Sequence, residues 1–235
     1  MYLASGAHSS TLLINQESPY FGYGYGLAYW NTFTADINSA FGGSGNVTVY
    51  SSDLNSLAYM LNFSSLMVDV RQSFMQPTAT EISNITAYEA TGRRVLLIGE
   101  NWDWRFWDNA ILSRVGGGFS DETSYAFETL DRVVIDSITA DSPTLITNGD
   151  GIAWGGLSLY SKNVVTQWGA GNVMSLLSAN VQDDFTGNGA FTNNLAIWLA
   201  GGSTPVPEPG TLVMLGAGIL GLGGMLRRKY RKLIL

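Results

Sequence analysis

Polar side chains follow each run of residues that is typical of a buried strand. In an open parallel sheet, ligands bind beyond the carboxyl ends of the strands, so these side chains are expected to meet at one edge. They are Asn15, Gln16, Glu17, Asp69, Arg71, Glu100, Asn101, Asp183 and Asp184. We predict a ligand-binding cleft lined by Glu17, Arg71, Glu100, Asn101, Trp102 and Asp184. A cation beside paired carboxylates would keep them ionised and give the cleft a polar floor suited to sugar hydroxyls.

The segment QDDFTGNGAF groups Asp183, Asp184 and Asn188 around glycines. Oxygen ligands on a glycine-rich turn suit Ca²⁺, although this spacing is not that of an EF-hand loop. A capped turn ahead of the last helix explains the same residues without a metal. The pattern therefore requires no cofactor, and Ca²⁺ bound at these three residues is the alternative.

Two aromatic segments accompany the predicted cleft. GENWDWRFWDN places Trp102, Trp104 and Trp107 beside carboxylates, and exposed indoles in that setting can stack on sugar faces. Packing of a following helix into the core is the other explanation of these tryptophans. In SPYFGYGYGLAYW, tyrosines alternate with glycines over residues 20–25, which indicates an aromatic loop over the carboxyl edge of the sheet.

Composition excludes several classes of chemistry. The chain has no cysteine, and its single histidine, His8, precedes the first predicted strand, so a thiolate nucleophile is absent and a Ser-His-Asp triad is not expected. Residues 1–204 carry 7 basic against 18 acidic side chains, which would repel phosphate backbones and argues against nucleic acid as a partner. We expect a noncatalytic binding module. The alternative is a carboxylate- or metal-dependent hydrolase that uses Glu17, Glu100 or Asp184.

Short β-rich runs alternate with helical segments in a chain that is 46% hydrophobic and 13% charged, a composition typical of a packed globule. Strands are predicted at TLLIN, NVTVYS, SSLMVDV, RRVLLIG and GNVMSLLSANV, with RRVLLIG central. Helices are predicted at LAYWNTFTADINSAF, TATEISNITAYEA and NNLAIWLA. Thr78 and Glu81 have capping-box spacing, and Gly92 ends the second helix. This alternation predicts an α/β fold with a doubly wound, mostly parallel sheet covered on both faces.

Residues 121–162 break this alternation. DRVVIDSI, SPTLIT and GLSLY look like short strands separated by Asp, Asn and Gly turns. We interpret this region as an inserted or edge β element.

The C-terminal tail has three parts in order. They are Pro207, Glu208 and Pro209, then an uncharged run from Thr211 to Leu226, then a basic end that begins with Arg227 and Arg228. The uncharged run makes a helix of roughly 24 Å, short of the roughly 30 Å hydrocarbon core, and snorkelling arginines can extend the span. Because cations favour the cytoplasmic side, we predict a transmembrane helix with the rest of the protein outside.

This tail resembles the PEP-CTERM sorting signal of exopolysaccharide-producing Gram-negative bacteria. The resemblance implies recognition by an exosortase, removal of the tail, and delivery from the inner membrane to the cell surface or its matrix, where exopolysaccharide is a candidate ligand. It divides the chain into an α/β module, residues 1–202, and a sorting tail, residues 203–235. The first ten residues lack the basic and apolar regions of a secretory signal, so we expect the natural start to lie upstream.

A second resemblance concerns the module. The order of SSLMVDVRQ, TATEISNITAYEATGRRVLLIGEN, WDNAILSRVGG, DSPTLITNG and FTNNLAIWLA resembles a class I glutamine amidotransferase-like domain. It implies a flavodoxin-like fold, of which noncatalytic relatives occur as extracellular modules. The family's cysteine nucleophile would follow the central strand, where this chain has Glu100 and Asn101. The Cys-His-Glu triad of the family is therefore absent.

Overall fold

The computed structural model describes residues 10–16, 23–69, 76–99, 105–122, 126–148 and 150–201. Within them the strands are β1 (Leu12–Asn15), β2 (Val47–Tyr50), β3 (Ser65–Val68), β4 (Arg94–Ile98), β5 (Gly118–Glu122), β6 (Glu128–Asp131), β7 (Thr144–Thr147), β8 (Asp150–Trp154), β9 (Leu157–Ser158), β10 (Val165–Trp168) and β11 (Val173–Leu176). The helices are α1 (Asn31–Ala40), α2 (Leu57–Met60), α3 (Ala79–Glu89), α4 (Arg105–Leu112) and α5 (Gly189–Leu199). Contacts divide the chain into two units, Met1–Thr204 and Pro205–Leu235, and the described residues all belong to the first.

Seven strands form one sheet in the order β2-β1-β3-β4-β11-β10-β9. The first five strands are parallel to their neighbours, whereas β10 runs antiparallel to both β11 and β9. The run RRVLLIG forms β4 at the centre of the sheet, as its sequence predicts. The order and direction of the strands fit a flavodoxin-like fold, so the prediction of a mixed α/β fold with a mostly parallel sheet is confirmed.

The sheet is buried on both faces. Leu12 and Ile14 pack with α1 and α5 in one apolar cluster, whereas Leu13 between them packs with α3 and α4 in a second cluster. This alternation follows from the two-residue period of a strand. Because both faces are covered, the central strands are continuous apolar runs rather than alternating ones.

The start and the end of α3 lie where the sequence predicts them. Thr78 and Glu81 form a capping box, in which each side chain accepts a hydrogen bond from the backbone N–H of the other. After the helix, the N–H of Gly92 donates to the carbonyl of Glu89 at 2.8 Å, and Gly92 adopts a φ of +80°. A residue without Cβ accommodates this left-handed conformation, so the chain can turn into β4.

The edge β element differs in detail from the prediction. DRVVIDSI is not a single strand, because β6 ends at Asp131. The N–H groups of Val133 and Val134 both donate to the carbonyl of Leu159, at 2.9 and 3.2 Å, rather than alternating as in a ladder. The side chain of Asp136 then accepts from the N–H groups of Ile138 and Thr139, and a turn follows instead of a longer strand.

The strands predicted at SPTLIT and GLSLY are present as β7 and β9, whereas β5, β6, β8 and β10, in and beside this region, were not predicted. β10 extends the main sheet, β5 pairs with β8, and β6 pairs with β7. The run GNVMSLLSANV is a strand only as far as Leu176, and Ala179–Gln182 forms a 3-10 turn. Such short strands contain too few residues to show a clear alternation of apolar and polar side chains. The sequence pattern therefore does not reveal them.

Within the described part of the chain, no helix combines the length and the apolar character that a membrane crossing needs. The predicted span from Thr211 to Leu226 lies outside the described residues.

We expect Glu81→Ala to lower the free energy of unfolding by roughly 2 kcal/mol, because the carboxylate serves two backbone donors. It accepts from the N–H of Thr78 at 2.9 Å and from the N–H of Leu54, in a buried contact, at 3.3 Å. Urea denaturation monitored by circular dichroism would measure the change. Glu89→Ala, at the other end of the same helix, is the control, and an equal loss in both variants would contradict this assignment.

Candidate functional site

The carboxyl ends of four parallel strands lie level with one another. Asn15 of β1 pairs with Val68 of β3, which pairs with Leu97 of β4, which pairs with Ser175 of β11. Polar residues that follow these strands therefore share one edge of the sheet. β1 has β2 on one side and β3 on the other, which makes it the topological switch point at which open α/β sheets bind ligands.

Gln16 and Asp69 form the floor of this switch point. Both contact Gly24, since a Cβ added there would lie 2.9 Å from Gln16 Oε1 and 3.0 Å from Asp69 Oδ2. Gly24 has a φ of +130°, so the backbone conformation and the close approach both require glycine. Gln16 Oε1 is buried and has no hydrogen-bond partner among the described residues. The floor thus holds an acceptor oxygen that the described protein leaves unsatisfied.

The described part of the aromatic loop lies over this edge. The hydroxyl of Tyr23 accepts a hydrogen bond from Asn180 Nδ2 at 3.0 Å, and the hydroxyl of Tyr25 donates to Asn38 Oδ1 on α1 at 2.6 Å. Together with Gly24, these contacts tie the loop to residues beyond β1, β3 and β11. Tyr20 lies outside the described residues.

A second polar cluster follows β11. Asp183 Oδ1 accepts from Trp30 Nε1 at 3.1 Å, and its Oδ2 accepts from Asn180 Nδ2 at 2.7 Å. Burial raises the pKa of Asp183 to about 6, although the hydrogen bonds from Asn180 and Trp30 oppose the shift. Ser178 Oγ donates to Asn148 Oδ1 at 3.1 Å, which joins the end of β7 to the end of β11.

Asp184 caps α1 from a distant part of the chain. Its Oδ1 accepts from the N–H of Thr32 at 2.8 Å and its Oδ2 from the N–H of Asn31 at 3.2 Å. Slight desolvation raises the pKa of Asp184, but the hydrogen bonds from Thr32 and Asn31 outweigh it and hold the pKa below its ordinary value. A carboxylate at a helix N-terminus is also favoured by the helix dipole. Asp184 is therefore ionised and exposed at the carboxyl edge.

Asn188 serves β7. Its Oδ1 accepts from the N–H of Ile146 at 2.9 Å, and its Nδ2 donates to the carbonyls of Ile146 and Val181. Among the described residues, no three His, Cys, Asp or Glu side chains lie close enough together to hold a metal ion. Ca²⁺ bound by Asp183, Asp184 and Asn188 remains a prediction.

Gln182 is a buried amide that sequence reasoning missed. It closes the 3-10 turn after β11 and is 1% exposed, yet neither Nε2 nor Oε1 has a hydrogen-bond partner within the described residues. An unsatisfied buried polar group lowers stability by roughly 1–3 kcal/mol. Its position beside two aspartates was the only signal in the sequence.

Asp108 places a buried carboxyl at the ends of β4 and β11. Its Oδ2 would lie 2.0 Å from a Cβ added at Gly99, and the carbonyl of Leu176 would lie 3.3 Å from that Cβ. The absence of a side chain at Gly99 therefore makes room for this carboxyl group. Burial raises the pKa of Asp108 to about 8. Its neighbour Trp107 is 1% exposed and belongs to the core, as the core-packing explanation predicts.

Most residues predicted to line the cleft lie outside the described residues, and the cleft itself stays a prediction. They are Glu17, Arg71, Glu100, Asn101 and Trp102. The sorting-motif residues also lie outside them, namely Pro207, Glu208, Pro209, Arg227 and Arg228. Of the lining residues predicted from the sequence, Asp184 is described and stands at the carboxyl edge.

Comparisons with known proteins give a sequence-motif match for the tail and structural similarity for the module. The PEP-CTERM protein-sorting motif matches residues 205–229. No curated protein matches the chain. Among solved structures, the chain is similar to the mmIFT52 N-terminal domain, with 14% identity and a TM-score of 0.63 over 82% of this chain and 98% of that one. It is also similar to a ThuA-like protein from Parabacteroides merdae, with 11% identity and a TM-score of 0.52 over 85% and 92% of the two chains. At such identities these likenesses concern the fold alone.

The buried carboxyl of Asp108 should make stability fall as pH rises. The folded protein keeps the proton up to about pH 8, whereas the unfolded chain releases it near pH 4. Each pH unit between these values therefore lowers the free energy of unfolding by about 1.4 kcal/mol. Asp183 contributes in the same direction only up to about pH 6, so the range from pH 6 to 8 isolates Asp108.

We expect Asp108→Asn to remove this slope between pH 6 and 8 and to exceed the wild type in stability at pH 8. Chemical denaturation at a series of pH values would measure both effects. Asp131→Asn, which changes an exposed carboxylate on β6, should keep the wild-type slope. An unchanged slope in Asp108→Asn would refute the assignment.

Proposed function

We propose that this chain, which its PEP-CTERM motif marks as an exported protein sorted by an exosortase, is a cell-surface or matrix protein whose α/β module binds a glycan without catalysis. Residues 1–202 form the module and residues 203–235 the sorting tail. The run from Thr211 to Leu226 anchors the precursor in the inner membrane. Removal of the tail then transfers the module to the cell surface or the extracellular matrix, where exopolysaccharide is available as a ligand.

The observation that carries the binding proposal is the set of unsatisfied amide groups at the carboxyl edge. Gln182 offers one donor group and one acceptor, and Gln16 offers an acceptor at the switch point. A sugar hydroxyl both donates and accepts hydrogen bonds, so it matches amide groups of either polarity. Buried polar groups are normally satisfied, and those left open beside a ligand-binding edge support a polar ligand as their partner.

The predicted lining residues lie close in sequence to the described residues at the carboxyl edge. Glu17 follows Gln16 directly, Arg71 comes two residues after Asp69, and Glu100 follows Gly99. We propose that these side chains, together with Asn101 and Trp102, surround the described floor. A carboxylate, a guanidinium group and an indole supply the hydrogen bonds and the apolar face that sugars require.

Binding without catalysis is supported by the chemistry of the chain. It contains no cysteine and a single histidine, His8, so a Cys-His pair is impossible and a Ser-His-Asp triad is not expected. The carboxylates of Asp183 and Asp184 both accept hydrogen bonds that hold α1 and the turn after β11 in place. Because these carboxylates already accept hydrogen bonds within the fold, they are poor candidates for a general acid or base. This favours binding over catalysis.

Deletion of residues 205–235 is expected to abolish surface retention in a host that has a matching exosortase. The variant should appear as a soluble exported protein, because it lacks both the recognition motif and the apolar run. Cell fractionation and intact-mass measurement of the wild-type protein test the proposal. A mature wild-type protein that keeps Arg227 and the residues after it would show that the tail is an ordinary anchor.

Gln182→Met separates a ligand-binding role from a structural one. The substitution keeps the shape of the side chain and removes two unsatisfied polar atoms, so the free energy of unfolding should rise by about 1 kcal/mol. Binding of polysaccharide extracted from the matrix should weaken by about fivefold. Calorimetric titration and thermal denaturation would measure the two effects.

The matched control is Gln167→Met. Gln167 lies on β10 and donates to the carbonyl of Gly171 at 3.0 Å, at the amino edge of the sheet. This variant should lose stability and keep its affinity for the polysaccharide. A Gln182→Met protein that binds as tightly as the wild type would contradict the proposed ligand site.

A further inference from the structure

Three exposed aromatic rings lie along one stretch of the carboxyl edge. The exposed fractions are 44% for Tyr29, 48% for Phe127 and 61% for Phe185. The rings of Phe127 and Phe185 meet edge to face with centroids 5.6 Å apart. The N–H of Asp184, next to Phe185, donates to the carbonyl of Tyr29 at 2.9 Å. We call these three side chains the aromatic rim.

The contacts of neighbouring residues place the rim beside the polar floor, which comprises Gln16, Asp69 and the buried amide of Gln182. Phe185 follows the turn that carries Gln182, and Tyr29 packs against Tyr23, whose hydroxyl contacts Asn180. Phe127 precedes β6, which pairs with β7, and Asn148 after β7 accepts a hydrogen bond from Ser178. The rim therefore borders the same edge as the unsatisfied amides.

Hydrogen bonds hold the backbone beside Tyr29 and Phe185 in place without a ligand. Asp184 accepts hydrogen bonds from the N–H groups of Asn31 and Thr32, two and three residues after Tyr29. On the other side of Phe185, the N–H and the hydroxyl of Thr186 both donate to the carbonyl of Asp183, at 3.0 and 2.8 Å. Residues on both sides of the exposed phenylalanine are thus held in place. Aromatic side chains on fixed backbone lose little conformational entropy when they bind, which favours recognition.

The surroundings of the rim favour a sugar over an apolar protein surface. A pyranose ring presents a face of C–H groups that stacks on an aromatic ring, and a periphery of hydroxyls that needs hydrogen-bond partners. Asp184, an exposed carboxylate beside Phe185, accepts from hydroxyls but would be left without water in an apolar interface. Residues 1–204 carry 7 basic against 18 acidic side chains, which disfavours polysaccharides that carry carboxylates of their own.

We infer that Tyr29, Phe127 and Phe185 form a stacking platform for an uncharged hexopyranose chain whose polar groups reach the neighbouring floor. This inference rests on the proposed function and specifies its ligand. The floor supplies hydrogen bonds and the rim supplies apolar contact, which are the two kinds of contact that a sugar chain needs. Exposed aromatic rings beside hydrogen-bonding groups match the two kinds of surface on a hexopyranose.

Calorimetric titration with cellohexaose, a neutral β-1,4-linked glucose hexamer, and with hexagalacturonate, an acidic hexamer, tests the platform. We expect the wild type to bind cellohexaose more tightly than hexagalacturonate. Phe185→Ala and Phe127→Ala should each weaken cellohexaose binding by about fivefold. Phe185→Tyr keeps a ring and should keep the affinity. Thermal denaturation of each variant confirms that the protein remains folded, as expected for changes at exposed side chains.

Trp154→Ala is the matched control. Trp154 is 52% exposed, and its carbonyl lies close to Gly117, which packs against Trp168 at the amino edge of the sheet. Removing this exposed ring should leave cellohexaose binding unchanged. Equal weakening by Trp154→Ala and Phe185→Ala would overturn the platform.

The outcomes distinguish the platform from the proposed function. If Gln182→Met weakens binding of matrix polysaccharide while Phe185→Ala does not, the floor is a ligand site and the platform is wrong. Failure of the wild type to bind cellohexaose, or tighter binding of hexagalacturonate, also overturns the platform. Failure of the wild type to bind matrix polysaccharide overturns the proposed function itself.

Discussion

Burial of a parallel sheet on both faces is the constraint on which the rest of this structure depends. Helices cover the two faces, and the side chains that meet there form two apolar clusters. Polar chemistry is therefore confined to the ends of the strands, where the chain leaves the sheet. At the carboxyl ends of β1, β3, β4 and β11 the chain places amides and carboxyls one after another, and every candidate ligand group follows from that confinement.

The carboxyl edge combines groups that stabilise the fold with groups that the fold leaves unsatisfied. Asp183 and Asp184 join α1 to the turn after β11 through hydrogen bonds from Trp30, Asn31 and Thr32. By contrast, Gln182 is buried without hydrogen-bond partners in the described part of the chain. Open hydrogen-bonding groups that lower stability are a common feature of functional positions, and they support the proposed ligand site at this edge.

The sorting tail and the α/β module provide different kinds of information. The PEP-CTERM motif establishes export and sorting by an exosortase, and it does so through 25 residues at positions 205–229. The module shares its fold with proteins at 11–14% identity, and a fold by itself does not specify a ligand. The proposed glycan ligand therefore depends on the carboxyl edge of this chain and not on its relatives.

The sequence alone determined the features that depend on neighbouring residues. The capping box at Thr78, the central position of β4 and the sorting tail are local patterns, in which adjacent or nearby side chains carry the whole signal. It also predicted Gln16 and Asp69 at one edge, since residues that follow parallel strands must share it. Tertiary structure alone decided the contacts between residues far apart in the chain. Gly24 over Gln16 and Asp69, Asp184 on α1, and Phe127 against Phe185 depend on how separate segments pack, and no local pattern encodes that packing.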